Sequence, residues 1–195
     1  MEEDKIISGC RVLIIGGSAG SLDALLKILP HLTAIPSFSL VIVLHRRSGE
    51  DTTLEELIAV KTSIPVTEVE DKIPLLPGCI YIAPSDYHLL FENNGTLSLD
   101  ISEKINYSRP SIDVAFESAA DIYGPKLTAI LLSGANADGT QGLIAVKNAG
   151  GTIVVQDPET AEMPFMPRNA IENMTPDHIL NVEEMIGFIG GGIGL

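Results

Sequence analysis

The sequence predicts an open, doubly wound α/β sheet that is mostly parallel, with helices on both faces and one inserted antiparallel hairpin. Three observations carry this. Near-continuous aliphatic runs at Val12-Leu13-Ile14-Ile15, Ser39 to Leu44 and Leu127 to Leu132 suit strands buried on both faces. Helical patterns separate these runs, so strands and helices alternate. Asn93-Asn94-Gly95, set between two short apolar segments, signals a hairpin, because Asn and Gly tolerate positive φ.

Taken in order, Arg11 to Leu32 forms the first unit. Its apolar run turns through Gly16-Gly17-Ser18-Ala19-Gly20 and continues as a helix with Leu22, Leu25, Leu26 and Leu29 on one face. The run Ser39 to Leu44 ends on His45, which places His45 at the same sheet edge as Ser18. Thr53 to Lys61 is a helix opened by the capping box Thr53-x-x-Glu56. Pro65 to Val69 is a short strand. Pro77-Gly78 turns into the strand Cys79 to Ala83, and the hairpin arms are Tyr87 to Glu92 and Thr96 to Ile101. Residues 102–110 are polar. Ser111 caps a helix to Tyr123, with Ile112, Ala115, Phe116 and Ala119 as its apolar stripe and Gly124-Pro125 as its stop.

Leu127 to Leu132 runs into Ser133-Gly134-Ala135-Asn136-Ala137-Asp138-Gly139. The helix Gln141 to Asn148 is closed by Gly150-Gly151. A strand at Thr152 to Val155 and a loop from Gln156 to Pro167 follow. Arg168 to Asn173 and Val182 to Ile189 read as short helices, and Gly190-Gly191-Gly192 as a frayed end.

The 195 residues suit one domain over 1–195, with a core at about 10–189 and a tail at 190–195. A chain of this size folds without a metal or disulfide. No apolar run has transmembrane length, and the start MEEDKIISGC lacks the pattern of a signal peptide, so the expected location is cytoplasmic. The net charge of −14 argues against nucleic acid and against anionic lipid surfaces as partners. Cys10 and Cys79 read as small buried hydrophobes. No Cys/His cluster has metal-ligand spacing, so no metal is expected.

The turn after the first strand spells G-x-S-x-G. In a nucleophile elbow such glycines permit a sharp, strained turn that exposes the serine above a helix start. Free N–H groups and the helix dipole favour an anion there, whether a tetrahedral oxyanion or a bound phosphate. Ser18, His45 and Asp138 each follow a buried strand, so neighbouring strands would bring them together. A serine hydroxyl needs a base, histidine suits that task near neutral pH, and an aspartate would hold the imidazole tautomer. Backbone N–H groups beside Ser18 and in the Gly134-Ala135 turn would form an oxyanion hole. The order Ser, His, Asp differs from the Ser, Asp/Glu, His of ordinary α/β-hydrolases. Duller readings exist for the other candidates. His31 sits at a helix end, His88 in a hairpin strand and His178 near a late strand; Asp113 is a first-turn helix charge and Asp157 a loop start.

Seven stretches, in order and covering about residues 10–189, resemble the catalytic domain of CheB-type chemotaxis-receptor methylesterases. They are IIGGSAGSLDALLKILPHL, VIVLHR, PGCIYIAPSDYHLLF, RPSIDVAFESAA, LLSGANADGTQGLIAVKNAGG, VVQDPETAEMPFMPRNAI and DHIL. The resemblance implies a doubly wound α/β fold and hydrolysis of glutamate 5-O-methyl esters on the cytoplasmic helices of receptors, with methanol released and deamidation of receptor glutamines alongside. It implies Ser18 as nucleophile, His45 as base, Asp138 as supporting acid, the backbone of Ala19 and Ala135 as oxyanion hole, and no cofactor. The acidic charge and the lack of a transmembrane-length apolar run lead to the expectation of no nucleic-acid partner and no insertion into a membrane. This chain departs from the family pattern at Ala19 (usually Thr), at Ala135 (usually Met, in GMGxDG) and at Leu44 (usually Gln). Typical members carry a receiver domain ahead of the esterase, whereas about ten residues precede the first strand here, which leaves three expectations open: constitutive activity, a regulator in trans, or a longer parent chain. The competing class is a catalytically silent binding module, with the glycine turn holding a phosphate or nucleotide; the absence of Gly-Lys-Ser/Thr and G-x-G-x-x-G motifs speaks against it.

Overall fold

A computed structural model describes residues 11–47 and 53–191. In chain order its elements are β1 (Val12–Gly17), α1 (Ser21–Ile28), β2 (Ser39–Leu44), α2 (Thr53–Ala59), β3 (Val66–Glu68), β4 (Ile73–Pro74), β5 (Ile80–Ile82), β6 (His88–Phe91) and β7 (Thr96–Asp100). Then come α3 (Ile112–Tyr123), β8 (Leu127–Leu131), α4 (Thr140–Asn148), β9 (Thr152–Gln156), α5 (Phe165–Asn173), β10 (His178–Leu180) and α6 (Val182–Gly190).

Seven strands form one parallel sheet in the order β10-β9-β8-β1-β2-β5-β3. β1 is central, and it and both its neighbours are buried along their whole length. That explains their lack of alternation, since helices cover both sides of the sheet. One face packs Ile14, Val41, Val43, Ala129 and Leu131 against α3, α4 and α5. The other packs Leu13, Ile15, Leu40, Ile42 and Ile130 against α1, α2 and α6. The chain winds outward from β1 through β2, β3 and β5, then returns to place β8 on the other side of β1. The winding therefore reverses between β1 and β8, the place in such sheets where loops diverge and leave a crevice.

The expected hairpin is present as β6 and β7, and it lies outside the main sheet. It joins β4 in a separate antiparallel sheet, β4-β7-β6, because Leu89, Phe91 and Leu97 bury themselves over α3, with Phe91 edge-on to Tyr123. Two expectations need correction. The buried stripe of α1 is Ala24, Leu25, Ile28 and the following Leu29; Leu26 is half-buried and lines a surface hollow with Val182 and Ile186 of α6. Helix α5 starts at Phe165 and includes Pro167, tolerated in a first turn where an N–H lacks an intrahelical partner anyway. The strand β10, too short to show periodicity, adds an edge next to β9. Cys10 and residues 192–195 lie outside the described residues, as does the residue before Thr53, which begins α2.

The fit of α3 on β1 is set by a glycine. A Cβ on Gly16 would lie 2.5 Å from Ile112 Cγ2 and 3.0 Å from Phe116 Cζ. Only a bare backbone lets the start of α3 press this close to the strand that leads to Ser18.

Candidate active site

Three adjacent strands, β2, β1 and β8, deliver the site. The ladder continues past their ends, with His45 N donating to Gly17 O at 3.1 Å and Ser18 N donating to Ser133 O at 2.9 Å. Ser18 is thereby held between His45 on one side and the β8 loop on the other. Its Oγ lies 3.1 Å from His45 Nδ1, and His45 Nε2 lies 2.7 Å from Asp138 Oδ2. The three side chains expected from sequence do converge. The ring nitrogens, however, take the reverse of the usual serine-protease assignment, in which Nε2 faces the serine. For Nδ1 to accept the serine proton it must be bare, so the neutral ring carries its hydrogen on Nε2 and donates it to Asp138.

Asp138 is fully buried, yet it is built to stay ionised. Oδ1 accepts from Asn106 Nδ2 (2.9 Å), Ser111 Oγ (2.9 Å) and Asp113 N (3.1 Å); Oδ2 accepts from Ile112 N (2.6 Å) as well as from His45. Ile112 and Asp113 open α3, so the carboxylate sits at that helix's N-terminus, where dipole and free N–H groups favour an anion. Burial pushes its pKa up. The donors from His45, Asn106, Ile112 and Asp113 outweigh that and hold it down to about 2.

Asp113, weighed from sequence as a rival acid, faces the other way. Its Oδ1 accepts from Gly139 N (2.9 Å) and Gly142 N (2.7 Å) at the start of α4, and its Oδ2 from Asn106 Nδ2 (2.8 Å). Burial, with the nearby Asp138 charge, raises its pKa to about 6 against the pull of these donors. The two helices are thus reciprocally capped: Asp138 precedes α4 and caps α3, while Asp113 belongs to α3 and caps α4. His88 is buried; its Nδ1 accepts from Ser111 N at 3.1 Å and its Nε2 donates to Glu103 O at 2.8 Å, so it braces the α3 cap. His31 ends a short 3₁₀ turn after α1, and His178 packs on Phe188. Neither joins the site, and Asp157 holds its own loop through Glu159 N and Thr160 N.

The turn after β1 differs from a strained elbow. Among the described residues the positive φ falls on Gly20 (φ 80), which caps α1, and not on Ser18. A Cβ on Gly20 would also meet Glu162 Cβ at 2.6 Å and Ser133 Oγ at 2.7 Å. Ser133 is the fastener here: its Oγ donates to Ala19 O (2.7 Å) and accepts from Met163 N (2.8 Å), and its N–H donates to Gln156 Oε1 (2.9 Å). Of the two N–H groups expected in the β8 turn, that of Gly134 is taken by Met163 O (3.0 Å). Among the described residues no protein acceptor takes the N–H of Ala19 or of Ala135. Sequence reasoning missed Ser133, Gln156 and Asn106. Ser133 alone left a trace, as a serine directly after a buried strand.

A family model described as CheB methylesterase matches residues 13–189. The chain belongs to the CheB methylesterase family. A protein-glutamate methylesterase/protein-glutamine glutaminase of Thermotoga maritima is 37% identical over 177 residues, covering 89% of this chain and 51% of that protein. A Leptospira interrogans relative, named provisionally for the same two activities, is 43% identical over 173 residues and is 90% covered. The crystal structure of the Thermotoga maritima CheB methylesterase catalytic domain matches with a TM-score of 0.82 at 34% identity, covering 91% of this chain and 97% of that one. This family likeness accords with the doubly wound sheet read from the alternating runs. Among the described residues no helix is long and apolar enough to cross a membrane.

Proposed function

We propose that this chain is a protein-glutamate methylesterase that uses Ser18 as nucleophile, His45 as general base and Asp138 as the anion that holds the base. Its substrates in this reading are glutamate 5-O-methyl esters on the cytoplasmic helices of receptors. The work would then be done in the cytoplasm, with control supplied by a partner in trans. The observation that carries the reading is the chain of contacts Ser18 Oγ to His45 Nδ1 and His45 Nε2 to Asp138 Oδ2.

Ser18 Oγ attacks the ester carbonyl carbon as its proton passes to Nδ1. The ring is then an imidazolium held against the buried carboxylate. The carbonyl oxygen becomes an oxyanion facing the N–H groups of Ala19 and Ala135. The tetrahedral species collapses, the proton on Nδ1 goes to the departing methoxide, and methanol leaves an acyl-Ser18. Water then enters, gives its proton to Nδ1 and attacks the acyl carbon. Ser18 leaves with the proton restored, and a glutamate carboxylate is released. With a glutamine in place, the same steps expel ammonia. Alanine at 19 and 135 leaves the main-chain donors in place while removing side-chain walls, so these positions bear on substrate fit more than on the existence of a hole.

Ser18→Ala should keep the fold and abolish methanol release from a methylated receptor fragment. Release at the wild-type rate would remove Ser18 from the mechanism.

A further inference from the structure

Asn106 belongs to no element. Its loop is exposed, and its neighbour Tyr107 is 98% exposed. Yet its single amide nitrogen donates to both buried carboxylates, Asp113 Oδ2 at 2.8 Å and Asp138 Oδ1 at 2.9 Å. Both Asn106 (φ 50) and Tyr107 (φ 62) take the left-handed region, which Asn tolerates and Tyr rarely adopts. Paired backbone bonds between Ile105 and Ser108 (3.2 and 2.9 Å) close the turn, and Arg109 ties it down through Ile101 O and Ser102 O (3.1 and 2.8 Å). A strained, exposed turn is thus held so that one amide reaches inward between two like charges.

We propose that Asn106 is a positioning residue for the esterase reaction: it fixes the Asp138 carboxylate against His45 and screens it from Asp113. This rests on the triad reading above. The other donors to Asp138 are His45 at the end of β2 and Ser111, Ile112 and Asp113 at the start of α3, and none of them donates to Asp113 Oδ2. Among the described residues Asn106 alone donates to both carboxylates. The titratable groups around Asp138 are His45 from the end of β2 and Asp113 and Glu117 from α3. Without the amide, Asp113 Oδ2 loses its donor and Asp138 Oδ1 keeps Ser111 Oγ and Asp113 N, so the bridge that links the two carboxylates is gone. The imidazolium formed during attack then meets a carboxylate whose orientation and charge have changed.

The test compares Asn106→Gly, which keeps the backbone's freedom to adopt positive φ, with Tyr107→Gly, which relaxes the same turn and keeps the amide. Asn106→Gly should lower kcat for methanol release about tenfold, the size of a lost hydrogen bond to a charged group, with KM unchanged. Its acid-side limb in the pH–rate profile should move, while Tyr107→Gly should leave kcat and the limb in place. A second readout is free of turnover: the His45 Nε2 proton resonance in 1H NMR should shift or broaden in Asn106→Gly and stay in place in Tyr107→Gly. An unmoved resonance with unchanged kcat overturns the proposal, as does an equal effect of both variants. Wild-type methanol release that survives Ser18→Ala sinks the triad reading separately, and the NMR comparison still decides the role of Asn106.

Discussion

Five donors converge on Asp138, and each exists only because another segment was folded into place. Replacing it with Asn sets an NH2 against donors in either orientation: His45 and Ile112 on one side, Asn106 and Asp113 on the other. Asp138→Asn should cost on the order of 10⁴ in kcat for methanol release, as expected when the base is held in the wrong tautomer. Its melting temperature should fall too, because buried donors lose their acceptor. Ser111→Ala removes two bonds with one hydroxyl, the one it donates to Asp138 and the one it accepts from Val114 N at 3.5 Å. A loss of about 1–2 kcal/mol in denaturant unfolding is expected, within the range for caps. At this scale the sequence was legible where a side chain follows a buried strand, since Ser18, His45 and Asp138 do meet. It was illegible at Asn106, Ser133 and Gln156. The contacts that tie them to the site, Asn106 to Asp138, Ser133 to Gln156 and Ser133 to Ala19, span 23 or more residues, and no local spacing marks them.

At the scale of elements, α3 and α4 hold one another by their first turns, and the two capping carboxylates respond to pH in opposite senses. Asp138, depressed to about 2, contributes stability that is complete above its unfolded value near 4 and is lost as pH falls toward 2. Asp113, raised to about 6, binds its proton more tightly when folded, so stability declines as pH rises from about 4 to about 6. Asp113→Asn should flatten the fall in melting temperature between pH 4 and 6; an unchanged slope would assign it to other groups. Gly16→Ala should cost about 1–3 kcal/mol, the usual penalty of overpacking, because the new methyl pushes α3 off β1. Helix α3 was readable from Ser111 and its stripe. Its reciprocal partnership with α4 was not, since Asp113 alone looks like any first-turn acid.

At the scale of the molecule, the parallel sheet was legible because strands covered on both faces have no polar side to show. The placement of the hairpin was not. Alternation marks a pair of strands but not the sheet they join, and burial of Leu89 and Phe91 over α3 decides that. The winding from β1 outward, then back to β8, puts the three site loops on neighbouring central strands.

That placement has a kinetic meaning. The amide hydrogens of Ser18 and His45 are rungs of the central ladder, whereas the Ala19 amide, one residue on, has no protein acceptor among the described residues. Freeing Ser18 or His45 for exchange with deuterium means parting the innermost strands, so both should exchange only through global opening, while Ala19 exchanges orders of magnitude faster. Heat should then silence the enzyme and melt the sheet at one temperature, with no inactive but folded form between them.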